Sequence, residues 1–231
     1  VTNESPVIQG ERVALPVEIR DAAVASAMFA VPAPAARDLI AYAGLAPAAR
    51  FGRAVCSLAA VRYADGDLGA YHEFAVAFLV RDPVDGGIGA FIHWLPVNQS
   101  FTLEAGRSIW GFPKEMADIP LDLAGRVKRC AVRFGGRTAL ELAVRPGAPL
   151  PTRSAAPSIV AFSHLDGVTR RIPWTVSPTG VRMRPGGATL RLGDHRVADE
   201  LRALGLDGAR ALSTSTVTRM TMSFAGAEEV R

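Results

Sequence analysis

The sequence predicts an α+β chain built on a large, mostly antiparallel sheet or barrel. Three observations carry that reading: apolar runs of strand length recur along the chain, turn chemistry separates them, and the few helical patterns do not alternate with strands as a βαβ fold requires. With 231 residues, 49% of them hydrophobic and 21% charged, the composition is that of a folded globular chain, and residues 1–231 read as a single domain.

Residues 35–43 (AARDLIAYA) follow Pro32 and Pro34 and place Leu39, Ile40 and Tyr42 on a short amphipathic helix that stops at Gly44. Strand patterns begin after it. Residues 54–62 (AVCSLAAVR), 71–80 (YHEFAVAFLV) and 88–95 (IGAFIHWL) are apolar runs separated by DGDLG and RDPVDGG, which predicts a buried antiparallel meander. A short helix is expected over 103–109, running into a Gly-Phe-Pro turn. Over 127–145 the pattern is a hairpin: Val132 and Phe134 share a face, Gly135-Gly136 makes the turn, and Leu140, Leu142 and Val144 alternate with Arg137, Glu141 and Arg145. The run PGAPLPTRSAAP (146–157) reads as a surface connection between two parts of one domain. Strands follow at 158–164, 167–172, 188–192 and 214–224, with a helix at 196–204 capped by Asp194 and stopped by Gly205.

Several function classes are excluded by composition. No apolar run approaches the ~18–20 residues of a membrane span, and Glu4, Glu11 and Arg12 do not give the basic-then-apolar order of a signal peptide, so a cytoplasmic address with no membrane partner is expected. Cys56 and Cys130 lie in apolar runs without metal-ligand spacing and read as reduced core residues. The net charge of +4 and a pI near 9.6 come from scattered arginines with no basic block, so no nucleic-acid partner is expected. No pair among His72, His93, His164 and His195 has metal spacing, and no metal is expected.

Of the 26 basic residues only Lys114 and Lys128 are lysines. In a chain that otherwise uses arginine for positive charge, a lysine offers what arginine does not, an amine able to lose its proton near neutrality. Lys114 follows Pro113, which fixes its own φ and restricts Phe112, so the amine is delivered by a stiff turn whose aromatic residues, Trp110 and Phe112, offer an apolar wall. Burial in such a wall disfavours the ammonium and favours a nucleophilic amine, the requirement for imine chemistry on a carbonyl. Glu73 is alone in an apolar strand, where a carboxylate is either paired or functional.

GRSIWGFPKEMADI (106–119), with YHEF (71–74) upstream, resembles the acetoacetate decarboxylase family, whose members carry a Gly-Arg, an aromatic-Pro-Lys and an upstream Tyr-x-Glu. The resemblance runs over residues 15–225. It implies a cone-like β-barrel with a few short helices, a homo-oligomer, and a lysine that forms an imine with a keto acid or aldehyde without any cofactor. By motif the imine lysine is Lys114 and the Tyr-x-Glu carboxylate is Glu73, a proton carrier. By position the family's N-terminal arginine falls on Arg20, a clamp for a substrate carboxylate. Phe112 matches the family's aromatic before Pro-Lys, and His93 lies in a strand that resembles one lining the site; with Trp110 and Glu115, which flank the same turn, they are the candidate substrate-binding residues. The resemblance departs at Glu115, where the decarboxylase has a second lysine, and in the apolar run AVCSLAAV, where it has a second carboxylate. An adjacent anion favours the ammonium, so the expected activity is a lyase reaction (decarboxylation, aldol condensation with dehydration, or retro-aldol cleavage) on a compound other than acetoacetate. Two alternatives stay open on the residues: a pocket that binds a small ligand non-covalently with Lys114 in a salt bridge, and a cyclase or hydrolase in which Lys114 only donates a hydrogen bond.

Overall fold

The computed structural model describes residues 5–151 and 158–230. A small hairpin of β1 (Val7–Ile8) and β2 (Glu11–Arg12) precedes the long strand β3 (Val17–Pro32). Helix α1 (Ala33–Ile40) and a 3-10 turn (Ala41–Ala43) lead into the meander β4 (Arg53–Gly66), β5 (Tyr71–Arg81) and β6 (Ile88–Val97). Then come α2 (Ser100–Trp110), β7 (Lys114–Met116), β8 (Leu121–Asp122) and the hairpin β9 (Lys128–Phe134) and β10 (Arg137–Val144). The chain continues through β11 (Ala148–Pro149), β12 (Ser158–Leu165), β13 (Val168–Thr179), β14 (Arg182–Pro185) and β15 (Ala188–Leu192). Helix α3 (Arg196–Ala203), β16 (Ser213–Phe224) and β17 (Glu228–Glu229) follow.

Seven strands close on themselves. The order β16-β3-β4-β5-β6-β12-β13 is completed by β13 pairing back to β16, from Trp174 opposite Phe224 to Thr179 opposite Arg219. Every seam is antiparallel except β6–β12. Closure leaves these strands no free edge. Because side chains alternate along a strand, each contributes to two cores. Inside the barrel, Ile19, Val61, Tyr63, Tyr71, Leu95, Val97, Ala161, Ile172 and Met222 pack with Ala105, Trp110 and Phe112 from α2 and its turn. Outside, Phe29, Leu58, Phe74, Phe78, Phe91 and Phe162 pack beneath α1, α3 and the four-stranded sheet β15-β10-β9-β8. These outer phenylalanines are fully buried, each stabilising by about 2–3 kcal/mol.

The 127–145 hairpin forms as its pattern predicts, with Gly135 and Gly136 at φ 55 and 80, the paired positive angles of a two-residue turn between twisted strands. Helix α2 begins earlier than the expected 103, because the Gln99 side chain accepts the Thr102 N–H and caps the helix at its new start. Asp194 is not the cap of α3. His195 is, its ring accepting from the Val197 N–H, while Asp194 lies exposed 3.7 Å from Arg137. Both cysteines are buried, and burial pushes their thiols up to about 12, so neither is a nucleophile. Of the 146–157 connection, the part to Pro151 is largely exposed, and 152–157 lie outside the described residues. Among the described residues no helix is long and apolar enough to cross a membrane.

Candidate active site

The turn after α2 is built by backbone chemistry before any side chain acts. Gly111 ends the helix in the left-handed region at φ 64, and the Phe112 N–H donates back to the Gly106 carbonyl at 3.0 Å. Pro113 cannot continue the helix, and Lys114 enters β7, which pairs in parallel with β6 through Leu95 opposite Lys114. The Lys114 side chain then runs back across α2 at Gly106. A Cβ there would lie 2.5 Å from Lys114 Cε, so glycine at this position is the space the lysine occupies.

The amine reaches a buried polar cluster. Lys114 Nζ lies 3.0 Å from Glu73 Oε2, donates to Thr102 Oγ1 at 2.8 Å and stands 5.1 Å from the centre of the Tyr71 ring. Glu73 Oε1 accepts from the Tyr63 hydroxyl at 2.9 Å. Tyr63 and Tyr71, opposite one another across β4 and β5, are stacked with ring centres 4.2 Å apart. Lys114 and Glu73 are only 4% and 6% exposed, so the two charges are removed from water and compensated by each other and by hydroxyl groups. Burial, and then the charge of Glu73, hold the Tyr63 and Tyr71 phenols well above their ordinary value, so both remain protonated donors at neutral pH. The arrangement places a primary amine beside a carboxylate able to take and return its proton.

The structure brings Lys114 and Glu73 together and buries Phe112 and Trp110 in the same inner core. Trp110 is fixed at both ends of its residue: the indole N–H donates to the Ala225 carbonyl at 2.7 Å, and the Trp110 carbonyl accepts from the Ser163 hydroxyl.

Three expected positions are corrected. Arg20 does not enter the barrel, because its neighbour Ile19 takes the inward place on β3. Its half-exposed guanidinium is held outside by Asp65, at 2.9 and 3.0 Å, and by Asp67 at 2.6 Å. His93 lies on the other side of the wall from Lys114. A register irregularity in β6 between the positions opposite Val76 and Ala77 turns its ring outward, where it packs edge-on to Phe78 and bridges Tyr42 and Glu200 at 2.9 Å each. Glu115, next to Lys114 on extended backbone, points away from it and pairs with Arg196 of α3 at 2.8 Å. Tyr63, Thr102 and Gly106 are the contacts that sequence reasoning left without a role. The signal for Tyr63 is its position opposite Tyr71 once the 66–70 turn is set, and for Thr102 the fact that it shares a helix with Gly106.

Among the described residues no group of three His, Cys, Asp or Glu side chains is arranged to hold a metal ion. The sequence matches the family model described as acetoacetate decarboxylase (ADC) over residues 4–228. Among curated proteins, none matches in sequence. An acetoacetate decarboxylase from Legionella pneumophila superposes with a TM-score of 0.74 at 15% identity, over 94% of this chain and 87% of that one. MppR, an enduracididine biosynthesis enzyme complexed with the condensation product of pyruvate and imidazole 4-carboxaldehyde, gives 0.71 at 18% identity over 95% and 92%. An acetoacetate decarboxylase-like enzyme from Sphingomonas wittichii gives 0.66 at 15% identity over 96% of each chain. At these identities the likeness is one of fold.

Proposed function

The chain belongs to the acetoacetate decarboxylase family, and from that premise we propose that it is an enzyme whose Lys114 condenses with a small carbonyl compound to form an imine. The observation that carries the proposal is the buried contact between Lys114 Nζ and Glu73 Oε2 at 3.0 Å. Glu73 takes a proton from the ammonium, and the neutral amine adds to the carbonyl carbon. Glu73 returns the proton to the resulting hydroxyl, which leaves as water, and an iminium remains on Lys114. The iminium then accepts the electron pair of the bond β to nitrogen, and the product is an enamine. Thr102 and Tyr63 keep the lysine and the carboxylate in register throughout, and the barrel wall excludes water from both.

Residue 115 does not govern this chemistry, contrary to the expectation that Glu115 holds the amine charged. Its side chain faces α3 and pairs with Arg196, while the Lys114 amine meets Glu73. MppR, the similar structure with a bound condensation product of a keto acid and an aldehyde, supports carbonyl chemistry inside this fold. The Lys114–Glu73 ion pair also serves a second reading, a pocket that binds its ligand without a covalent bond.

Borohydride trapping separates the two. Reduction of the iminium fixes the ligand on Lys114 as a secondary amine, detected by intact mass and peptide mapping, and the Lys114→Arg variant forms no adduct. A folded wild-type protein that gives no adduct with any keto acid, ketone or aldehyde leaves the non-covalent reading.

A further inference from the structure

We infer that the substrate of Lys114 is a neutral aldehyde or ketone with an apolar body, and that the reaction begins by removing a proton from the carbon next to its carbonyl. The inference rests on the imine reading above and narrows it to a class of compound.

The first argument is charge. Imine formation converts one ammonium into one iminium and releases water, so the site keeps one positive charge opposite the single negative charge of Glu73. A neutral carbonyl compound preserves that balance. A keto acid adds a second carboxylate within a few ångströms of Glu73, in surroundings where like charges repel strongly, and needs a further cation.

The second argument is where the cations are. Among the described residues, Lys114 is the cation that touches Glu73, Thr102 and Tyr71. Arg20, the expected carboxylate clamp, is committed outside the barrel to Asp65 and Asp67. Arg171 is held by Asp82 and Asp85. Arg170 shares the inward row of β13 with Ile172, but its guanidinium packs over Gly111 and donates to the Leu165 and Val168 carbonyls at the end of the β12–β13 hairpin.

The third argument is the lining. Val24, Ala75, Ile92, Ile159, Trp174 and Phe224 pack against the inner core, and each remains partly exposed. Ala75 follows Glu73 on the same face of β5, and Ala59 stands opposite it on β4, so small apolar side chains flank the carboxylate. Such a lining suits an apolar or aromatic group, and the one unpartnered donor among these six residues, the buried Trp174 indole N–H, can meet an oxygen but brings no charge to balance a carboxylate.

A substrate without a carboxylate has no CO2 to lose. In a simple aldehyde or ketone, with no hydroxyl β to the carbonyl to permit retro-aldol cleavage, the bond that breaks is C–H: Glu73 takes the proton, the C–H electron pair becomes the enamine double bond, and the iminium nitrogen recovers its lone pair. Return of a solvent proton completes an exchange, and addition of the enamine to a second aldehyde completes an aldol step.

The test measures two readouts on the whole protein with the same four probes: phenylacetone, 3-phenylpropanal, pyruvate and acetoacetate. In D2O, proton NMR follows deuterium entering the carbon next to the carbonyl, and borohydride trapping measures imine formation. Trapping is legible because Lys128 is the only other lysine. The expected result is trapping and exchange about tenfold or more faster with the neutral probes, as a charge penalty on the acids requires. The Glu73→Gln variant should lose the exchange and also form the adduct more slowly, because Glu73 serves both steps. Equal or faster trapping of pyruvate or acetoacetate overturns the inference and leaves the imine reading standing, and loss of that trapping in Arg170→Gln would then identify the cation that was overlooked. No adduct with any probe, from a protein folded by circular dichroism, overturns the imine reading itself.

Discussion

Glu115 accepts a 2.8 Å hydrogen bond from Arg196, while Lys114, one residue earlier, points across the strand to Glu73. Two oppositely charged neighbours in sequence are thus kept from pairing with each other by the alternation of an extended strand and by a partner on each side. Glu115 and Arg196 are 36% and 60% exposed, so their pair contributes at most about 1 kcal/mol. Glu115→Gln should therefore unfold within about 1 kcal/mol of wild type and trap carbonyl probes at an unchanged rate. Glu115→Lys, which restores the decarboxylase-like pair of lysines in sequence, should not raise CO2 release from acetoacetate, because the new amine would face Arg196. A large gain in CO2 release would place residue 115 in control of Lys114 after all.

Tyr63→Phe removes the hydroxyl that donates to Glu73 Oε1 and leaves that buried oxygen short of a partner. The expected loss is about 1–3 kcal/mol in urea unfolding, the cost of an unsatisfied buried acceptor bearing charge. Tyr71→Phe, which keeps the ring beneath Lys114, should cost less and keep trapping. Equal losses in the two variants would mean that the Tyr63 hydrogen bond to Glu73 has no special share in stability, since both variants keep the ring stack.

How much of this was legible in the sequence depends on how local the signal is. The Gly135-Gly136 hairpin could be read because turn and alternation agree within one segment. The long strand β3 could not: VEIRDAAVASAMFAVP is rich in alanine, a weak strand former, and its alternation breaks near Asp21 where the pairing with β4 shifts register. Lys114 and Glu73 were found through short motifs, but their neighbour Thr102 comes from a helix whose cap, Gln99, lies outside any motif. Arg20 was placed by counting positions. The alternation of Val17 and Ile19, both inward, already turns it out of the barrel. His93 was beyond reach, because one register irregularity in β6 decides which side of the wall it occupies, and nothing in IGAFIHWL marks it.

On the outer side of that wall, His93 ties α3 to the barrel through Glu200, and the Tyr42 hydroxyl is 2.9 Å from its other ring nitrogen. Burial alone would raise the Glu200 carboxyl, but the His93 hydrogen bond and nearby charges, including Arg196, more than offset it and hold Glu200 below its ordinary 4.5. A depressed carboxyl binds fewer protons folded than unfolded, so its contribution is present above about 4.5 and is lost as pH falls through the lower folded value. Thermal unfolding followed from pH 6 downward should show a decline that is shallower in Glu200→Gln. Parallel curves for the two proteins would show that α3 docks without help from this charge.

Gly106 supplies the sharpest test of the packing around Lys114, because the same substitution should change sign with its neighbour. In wild type an added Cβ lies 2.5 Å from Lys114 Cε and 2.6 Å from Cδ, the movable part of a side chain, so the lysine rather than the helix gives way. Displacing Nζ leaves Glu73 a buried carboxylate without its counter-ion, a loss of about 3–5 kcal/mol that outweighs the roughly 1 kcal/mol gained by alanine over glycine within a helix. Gly106→Ala should thus destabilise the protein and stop imine trapping. In a Lys114→Ala/Glu73→Gln background neither the clash nor the unpaired charge remains, and the same Gly106→Ala should stabilise by about 1 kcal/mol. Urea unfolding of the four proteins closes the cycle. Destabilisation in both backgrounds would locate the constraint on Gly106 in the helix backbone instead of in the lysine that crosses it.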